Sequence, residues 1–127
     1  MTIAIGTDIV EIERVANVLA RQGEKLSARI LTPLEMERYN RISNQAVKVA
    51  FLAKRWSAKE AIAKALGTGI AKGVGWQDME ISNNELGAPE VQLTGNAKSR
   101  LRELKAKKVL ISMSDEQHYA VAFCSII

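Results

Sequence analysis

At 127 residues, with 47% apolar side chains, the chain has the size of one domain and enough apolar material for a core of its own. Its single cysteine, Cys124, excludes an internal disulfide and favours a reducing compartment, and its single histidine, His118, excludes a histidine-built metal site. The net charge of +4 is concentrated in residues 1–66, which hold 11 Lys/Arg against 7 Asp/Glu, while the remainder holds 7 of each. A basic half points to an acidic partner (nucleic acid, membrane surface or acidic protein) or simply to a solvated face.

The first residues, Met1-Thr-Ile-Ala-Ile, carry no basic segment and soon meet Asp8, so they are not read as a signal peptide. No apolar run approaches the roughly 20 residues that span a bilayer, and the expected location is the cytoplasm, with no membrane partner. Residues 3–10 are rich in β-branched side chains and read as a strand, with Gly6 marking a bend or a close backbone approach. From Ile12 the apolar positions Ile12, Val15, Val18 and Leu19 follow a helical spacing, which Gly23 ends. Lys25 to Leu31 form a short amphipathic segment. Thr32, Pro33 and Glu35 have the signature of a capped helix start, predicting a helix over residues 33–41.

Residues 44–66 form the longest predicted helix, stopped by Gly67. Residues 78–82 and 90–93 read as short strands around turn chemistry at 83–89, and Thr94 caps a helix running to about Ala106. Residues 109–114 and 119–127 predict a hairpin central to the sheet. The mixed order defines the class as α+β, an antiparallel sheet packed against a long helix in a single domain over residues 1–127.

Three features carry chemistry. Asp8 interrupts a strand that should be apolar; a buried carboxylate costs several kcal/mol unless it is paired or coordinated, so it is either a ligand, a salt-bridge partner or an edge residue. Glu60 and Lys64 stand one helical turn apart, the spacing of an ordinary surface ion pair, but Trp56 one turn earlier on the same face argues for a partly enclosed stripe. The glycine-containing segments Gly67-Thr-Gly69 and Lys72-Gly-Val-Gly75 offer backbone N–H groups to a phosphate or are merely a helix stop and loop. Neither a G-x-x-x-x-G-K-[ST] loop nor a strand followed by G-x-G-x-x-G is present. Cys124, in an apolar run, reads as a small buried residue rather than a nucleophile.

Two segments together resemble the signature of the 4′-phosphopantetheinyl transferase superfamily: Gly6, Asp8 and Arg14 in the first, and Trp56, Lys59, Glu60, Ala61 and Lys64 in the second. Their order, their separation and the chain length are similar to the short, single-domain branch of that superfamily, as are Gly67 to Ile70 and the strand at Tyr119. The resemblance implies transfer of the 4′-phosphopantetheine arm of coenzyme A to a serine of an apo acyl carrier protein, in the service of fatty acid biosynthesis, with adenosine 3′,5′-bisphosphate as by-product. It implies Mg²⁺ held by Asp8 and Glu60, with Lys64 on a phosphate oxygen, in keeping with a hard cation that takes one or two carboxylates and substrate oxygens. It further implies coenzyme A contacts from Arg55, Lys59, Gly67, Thr68 and Gly69, and docking of the acidic carrier on Arg14, Arg21, Lys25 and Arg29.

Longer relatives place a third acid two residues after the first; here that position is Val10, so water is expected to complete the metal shell. Glu60, or a metal-bound water near it, is then expected to take the serine proton. The short branch also implies a homotrimer with active sites at subunit interfaces. Three other readings stand beside this one: a transferase serving a polyketide or peptide synthetase carrier, a non-catalytic subunit with a vestigial site, and a small RNA-binding protein. Against the last, only 5% of residues are aromatic and none is interleaved with the basic residues for stacking.

Overall fold

The computed structural model describes residues 1–127. Strand β1 (Ala4–Glu11) leads into four helices, α1 (Ile12–Gln22), α2 (Glu24–Ile30), α3 (Pro33–Arg41) and α4 (Gln45–Leu66). A 3₁₀ turn (Trp76–Asp78) introduces β2 (Met79–Asn83) and β3 (Pro89–Leu93); α5 (Gly95–Glu103), β4 (Val109–Asp115) and β5 (Tyr119–Ile126) complete the chain. The strands form two antiparallel sheets, a three-stranded one ordered β1-β5-β4 and a β2-β3 hairpin. The α+β class and the long packed helix are as expected. The C-terminal hairpin is central through β5 alone, because β1 takes its free side and leaves β4 at the edge.

Helix α4 is the spine. Asn44 caps its start by accepting from Val47 N at 3.1 Å, and Gly67, at φ 80°, closes it in the left-handed conformation that glycine adopts without strain. Its buried residues, among them Leu52, Ala53, Ala58, Lys59, Ala61, Ile62 and Leu66, lie on nearly every side, the pattern of a helix enclosed by other elements. One core cluster gathers Ala61, Ile62 and Leu66 with Met79, Ile81, Cys124 and Ile126. The other gathers Leu52 and Val49 with Val15, Leu26, Ile30 and Tyr39. Burial in the first cluster pushes the Cys124 thiol up to about 12, so it stays protonated and inert.

Gly6 shows how tightly β1 lies on α4. A Cβ there would stand 2.1 Å from the carbonyl oxygen of Ala61. The alanines of α4 and the bare glycine let strand and helix approach backbone to backbone.

Helix α3 starts with the predicted capping box: Glu35 N donates to Thr32 Oγ1, and Thr32 N donates to Glu35 Oε1 at 2.8 Å. Helix α5 ends at Glu103, three residues short of the expected Ala106, because Lys105 takes a positive φ of 58° and the chain turns toward β4. The alternation of β1 and β5 turns Gly6, Val10, Ala120 and Cys124 inward. It leaves Ile5 and Ile9, at 62% and 64% exposure, and Phe123, at 48%, on the sheet's open face.

Candidate active site

Asp8 and Lys64 meet where β1 crosses the last turns of α4. Asp8 shares the inward register of Gly6 and Val10, and it lies beside the helix rather than in the core. Lys64 Nζ donates to Asp8 Oδ1 and to the carbonyl oxygen of Thr7, both at 3.0 Å. Thr7 in turn donates through Oγ1 to the carbonyl of Ala122 at 3.0 Å, which holds that stretch of β1 against β5. The Asp8 side chain is 15% exposed and that of Lys64 52%, so the pair opens to solvent on its lysine side.

Glu60 lies one turn before Lys64 and is half-buried. Its carboxyl is held above the usual carboxylate range, first by burial, then by the negative charge of Asp8, with Lys64 opposing. Glu60 thus lies close enough to Asp8 to feel its charge, while the Lys64 ammonium bonds to Asp8, and a divalent cation would offset the repulsion between the two carboxylates. No group of three or more His, Cys, Asp or Glu gathers anywhere in the structure. Two hard oxygen donors suit Mg²⁺, which keeps several waters and takes its remaining ligands from substrate phosphates. The expected trio of Asp8, Glu60 and Lys64 is therefore brought together, and its donor set fits the implied metal.

Two expected coenzyme A contacts are not. Lys59 is fully buried, and its ammonium donates to Glu35 Oε1 at 2.6 Å, to Ile30 O at 2.6 Å and to Trp76 O at 3.1 Å. All three of its protons are committed, so none is left for a phosphate. Burial pulls its pKa below the usual lysine value, with Glu35 acting against that fall. Arg55, four residues earlier on the same side of α4, is 4% exposed. Its guanidinium lies 4.4 Å above the Phe51 ring, and its Nε stands 3.8 Å from Glu35 Oε2, an ion pair too long for a hydrogen bond. Burial, partly offset by Glu35, lowers its pKa to about 10.

The glycine segment after α4 is next to Lys64, but its amides are spent on the helix end. Gly67 N donates to Lys64 O at 3.0 Å, and Thr68 N and Gly69 N donate to Ala63 O at 3.2 and 3.1 Å. The expectation that the amides of Gly67, Thr68 and Gly69 cradle a phosphate is corrected accordingly: they cap α4.

Arg14 and Arg21 of α1, seven residues apart, share one helix face, and Lys25 and Arg29 of α2, four apart, share another. All four are exposed, and none makes an ion pair. Nothing in the residue pattern marks the Thr7 carbonyl as a lysine acceptor. Glu35 was legible as a helix cap but not as a buried counter-ion.

An acidic pair and an ammonium set on a strand–helix crossing, within a split antiparallel sheet around one buried helix, define a class. The chain belongs to the 4′-phosphopantetheinyl transferase superfamily, whose sequence family matches residues 4–124. Within that class it is similar to the holo-[acyl-carrier-protein] synthase of Vibrio cholerae (strain O395), 48% identical over 122 residues that cover 96% of this chain and 94% of that protein. In structure it is similar to the holo-[acyl-carrier-protein] synthase of Neisseria meningitidis, with a TM-score of 0.91 and 37% identity over 100% of this chain and 99% of that one. The Helicobacter pylori holo-[acyl-carrier-protein] synthase, solved in complex with coenzyme A, superposes with a TM-score of 0.83 at 28% identity, covering 97% of this chain and 99% of that one. No helix of the structure is long and apolar enough to cross a membrane.

Proposed function

We propose that this chain transfers 4′-phosphopantetheine from coenzyme A to a serine hydroxyl of an apo acyl carrier protein, that the step depends on Mg²⁺, and that it serves fatty acid biosynthesis. The observation that carries the reading is the convergence of Asp8, Glu60 and Lys64 at one solvent-open crossing. The names of the relatives and the coenzyme A complex of the Helicobacter pylori protein support it. The serine oxygen forms a bond to the pantetheine-side phosphorus as the pyrophosphate bridge of coenzyme A breaks. Adenosine 3′,5′-bisphosphate leaves, and the serine proton goes to a base.

Asp8 and Glu60 hold Mg²⁺, which when bound supplies positive charge to the pyrophosphate oxygens. Lys64, already poised at the mouth of the site, exchanges a carbonyl or carboxylate partner for a phosphate oxygen as charge develops there. Glu60, or a water held near it, accepts the serine proton. Intact mass of an apo carrier protein after incubation with this chain, coenzyme A and Mg²⁺ tests the reading. One phosphopantetheine of added mass, absent with EDTA, is the expected result, and no addition to any acidic carrier would overturn it.

The exposed basic faces of α1 and α2 are read as the carrier's dock. No aromatic side chain lies in either helix, which speaks against the nucleic-acid reading. With Arg14 and Arg21 both changed to Glu, the KM for carrier protein is expected to rise about tenfold or more while that for coenzyme A stays within twofold. Steady-state titration of each substrate checks this, and equal effects on both would refute the docking role.

The homotrimer belongs to the same proposal. Ile5, Ile9, Val121 and Phe123 form an apolar patch across β1 and β5, with Ile9 paired to Val121 and Thr7 to Phe123. A second copy is the occupant this patch suits, because the strand that exposes Ile9 also carries Asp8, and a neighbour seated there would help enclose a ligand as long as coenzyme A. Phe123→Asp is expected to sediment as a single chain where the parent sediments as three, and to bind coenzyme A more weakly. A parent that sediments as a monomer would remove the trimer from the proposal.

A further inference from the structure

The buried ion pair behind the site has a geometry that stability alone does not require. Lys59 and Glu35 are both fully buried. The Lys59 ammonium reaches the last turn of α2 at Ile30 O, α3 at Glu35 and the 3₁₀ turn at Trp76 O. Glu35 extends the tie, accepting from Thr32 N at 2.8 Å and, through its other oxygen, from Ile81 N of β2 at 3.0 Å. Side chains of this size could be exchanged for well-packed apolar ones without loss of stability. What the pair adds is direction, because the three bonds from Lys59 restrain how far α4 can roll about its own axis, and the two to Glu35 fix the carboxylate it is tied to.

The opposite side of α4 is held too. Ala61, about 160° around the helix from Lys59, is the residue whose carbonyl presses on Gly6 of β1. Glu60 lies between the two clamps. At the helix's outer radius of about 6 Å, a roll of about 10° moves a side chain by about 1 Å. Mg²⁺ tolerates little such error, since it demands near-octahedral geometry at short distances.

We propose that the Lys59–Glu35 pair sets the roll of α4 and thereby places Glu60 opposite Asp8 for a divalent cation, making Lys59 and Glu35 positioning residues for the transfer. The assignment rests on Asp8 and Glu60 being the metal ligands. It separates the adjacent residues Lys59 and Glu60 into support and ligand.

The test is Mn²⁺ binding to the full chain with coenzyme A present, read by electron paramagnetic resonance beside thermal unfolding. Two variants are compared with the parent: Lys59→Met combined with Glu35→Gln, which removes both charges at similar volume, and Glu35→Asp, which keeps the charge and shortens its reach. In each variant that unfolds cooperatively, the Mn²⁺ dissociation constant is expected to rise about tenfold and kcat to fall, while the KM for coenzyme A at saturating metal changes less than twofold. Unchanged Mn²⁺ affinity in a folded variant would overturn the positioning role. A raised KM for coenzyme A with metal affinity intact would also overturn it, and would make Lys59 a phosphate contact. Asp8→Asn in the otherwise unchanged chain serves as the control: if it leaves Mn²⁺ binding intact, the metal-site reading itself has failed.

Discussion

Gly6→Ala is expected to cost the protein its site and much of its stability through a single methyl group. The added Cβ would lie 2.1 Å from Ala61 O and 2.8 Å from Ala65 N, both backbone atoms of a helix that is packed on its other sides. No side-chain rotamer relieves such a contact, so β1 and α4 must part. Overpacking costs typically about 1–3 kcal/mol, and a clash with backbone on both sides belongs at the upper end. For a domain of this size that lowers Tm by about 10 °C. The separation also breaks the two 3.0 Å bonds from Lys64 to Thr7 O and Asp8, and draws Asp8 away from Glu60. A displacement of about 1 Å in a positioned group can cost about 100-fold, so turnover measured well below the new Tm is expected to fall by that much. Gly75→Ala is the matched control, because a Cβ there meets nothing within 4 Å and its φ of −120° suits any residue. An active, stable Gly6→Ala protein would mean that the close crossing is not what builds the site.

Local signals made most elements legible, and long-range ones are where the reading fell short. Thr32, Pro33 and Glu35 announced α3 within four residues, and its observed bounds, Pro33–Arg41, match the expected 33–41. Gly67 did the same for the end of α4, whose start, expected at residue 44, falls one residue later because Asn44 is its cap. The metal-site trio was legible because an acid in a strand and an acid one turn before a lysine are both conspicuous. The placing of Lys59 and Arg55 beside a buried Glu35 is hidden in the sequence for a reason intrinsic to α4. A helix buried on nearly every side has no polar stripe, so nothing in its periodicity says which cation faces a ligand and which faces a buried counter-ion. The counter-ion Glu35 lies 24 residues from Lys59, and it also binds the amide of Ile81, 46 residues away. No local pattern encodes such a partnership. The glycines after α4 were ambiguous for a similar reason, since a phosphate cradle and a helix stop need the same residues, and only the acceptors of the amides tell them apart. The apolar alternation on β1 hid the opposite way: Ile5 and Ile9 look like core residues in sequence, yet they lie on the open face of the sheet.

Asp8→Asn and Glu60→Gln are expected to abolish most turnover while leaving the fold intact, and to differ in how they respond to metal. The Asp8–Lys64 pair is open to solvent, with Lys64 52% exposed, so its loss costs at most about 1 kcal/mol of stability. Glu60 is the opposite case. Its folded carboxyl binds a proton more readily than the unfolded one, because burial and the charge of Asp8 both disfavour ionisation. The sign follows: without metal, the folded state loses stability as pH rises from the unfolded carboxylate value through the raised one. Glu60→Gln is therefore expected to raise Tm slightly at neutral pH in the metal-free protein, a stability withheld in favour of the site. Activity runs the other way. Each carboxylate is expected to contribute about 100- to 1000-fold by holding the cation that would offset charge at the reacting phosphate. Raising Mg²⁺ should restore part of the activity of Asp8→Asn, which loses only a ligand. The same titration should restore little to Glu60→Gln, which loses a ligand and the proton acceptor together. Turnover of both variants across a Mg²⁺ series, with thermal melts in EDTA, separates these roles. If saturating Mg²⁺ restores Glu60→Gln as fully as Asp8→Asn, Glu60 is a ligand alone and the serine proton leaves by another route.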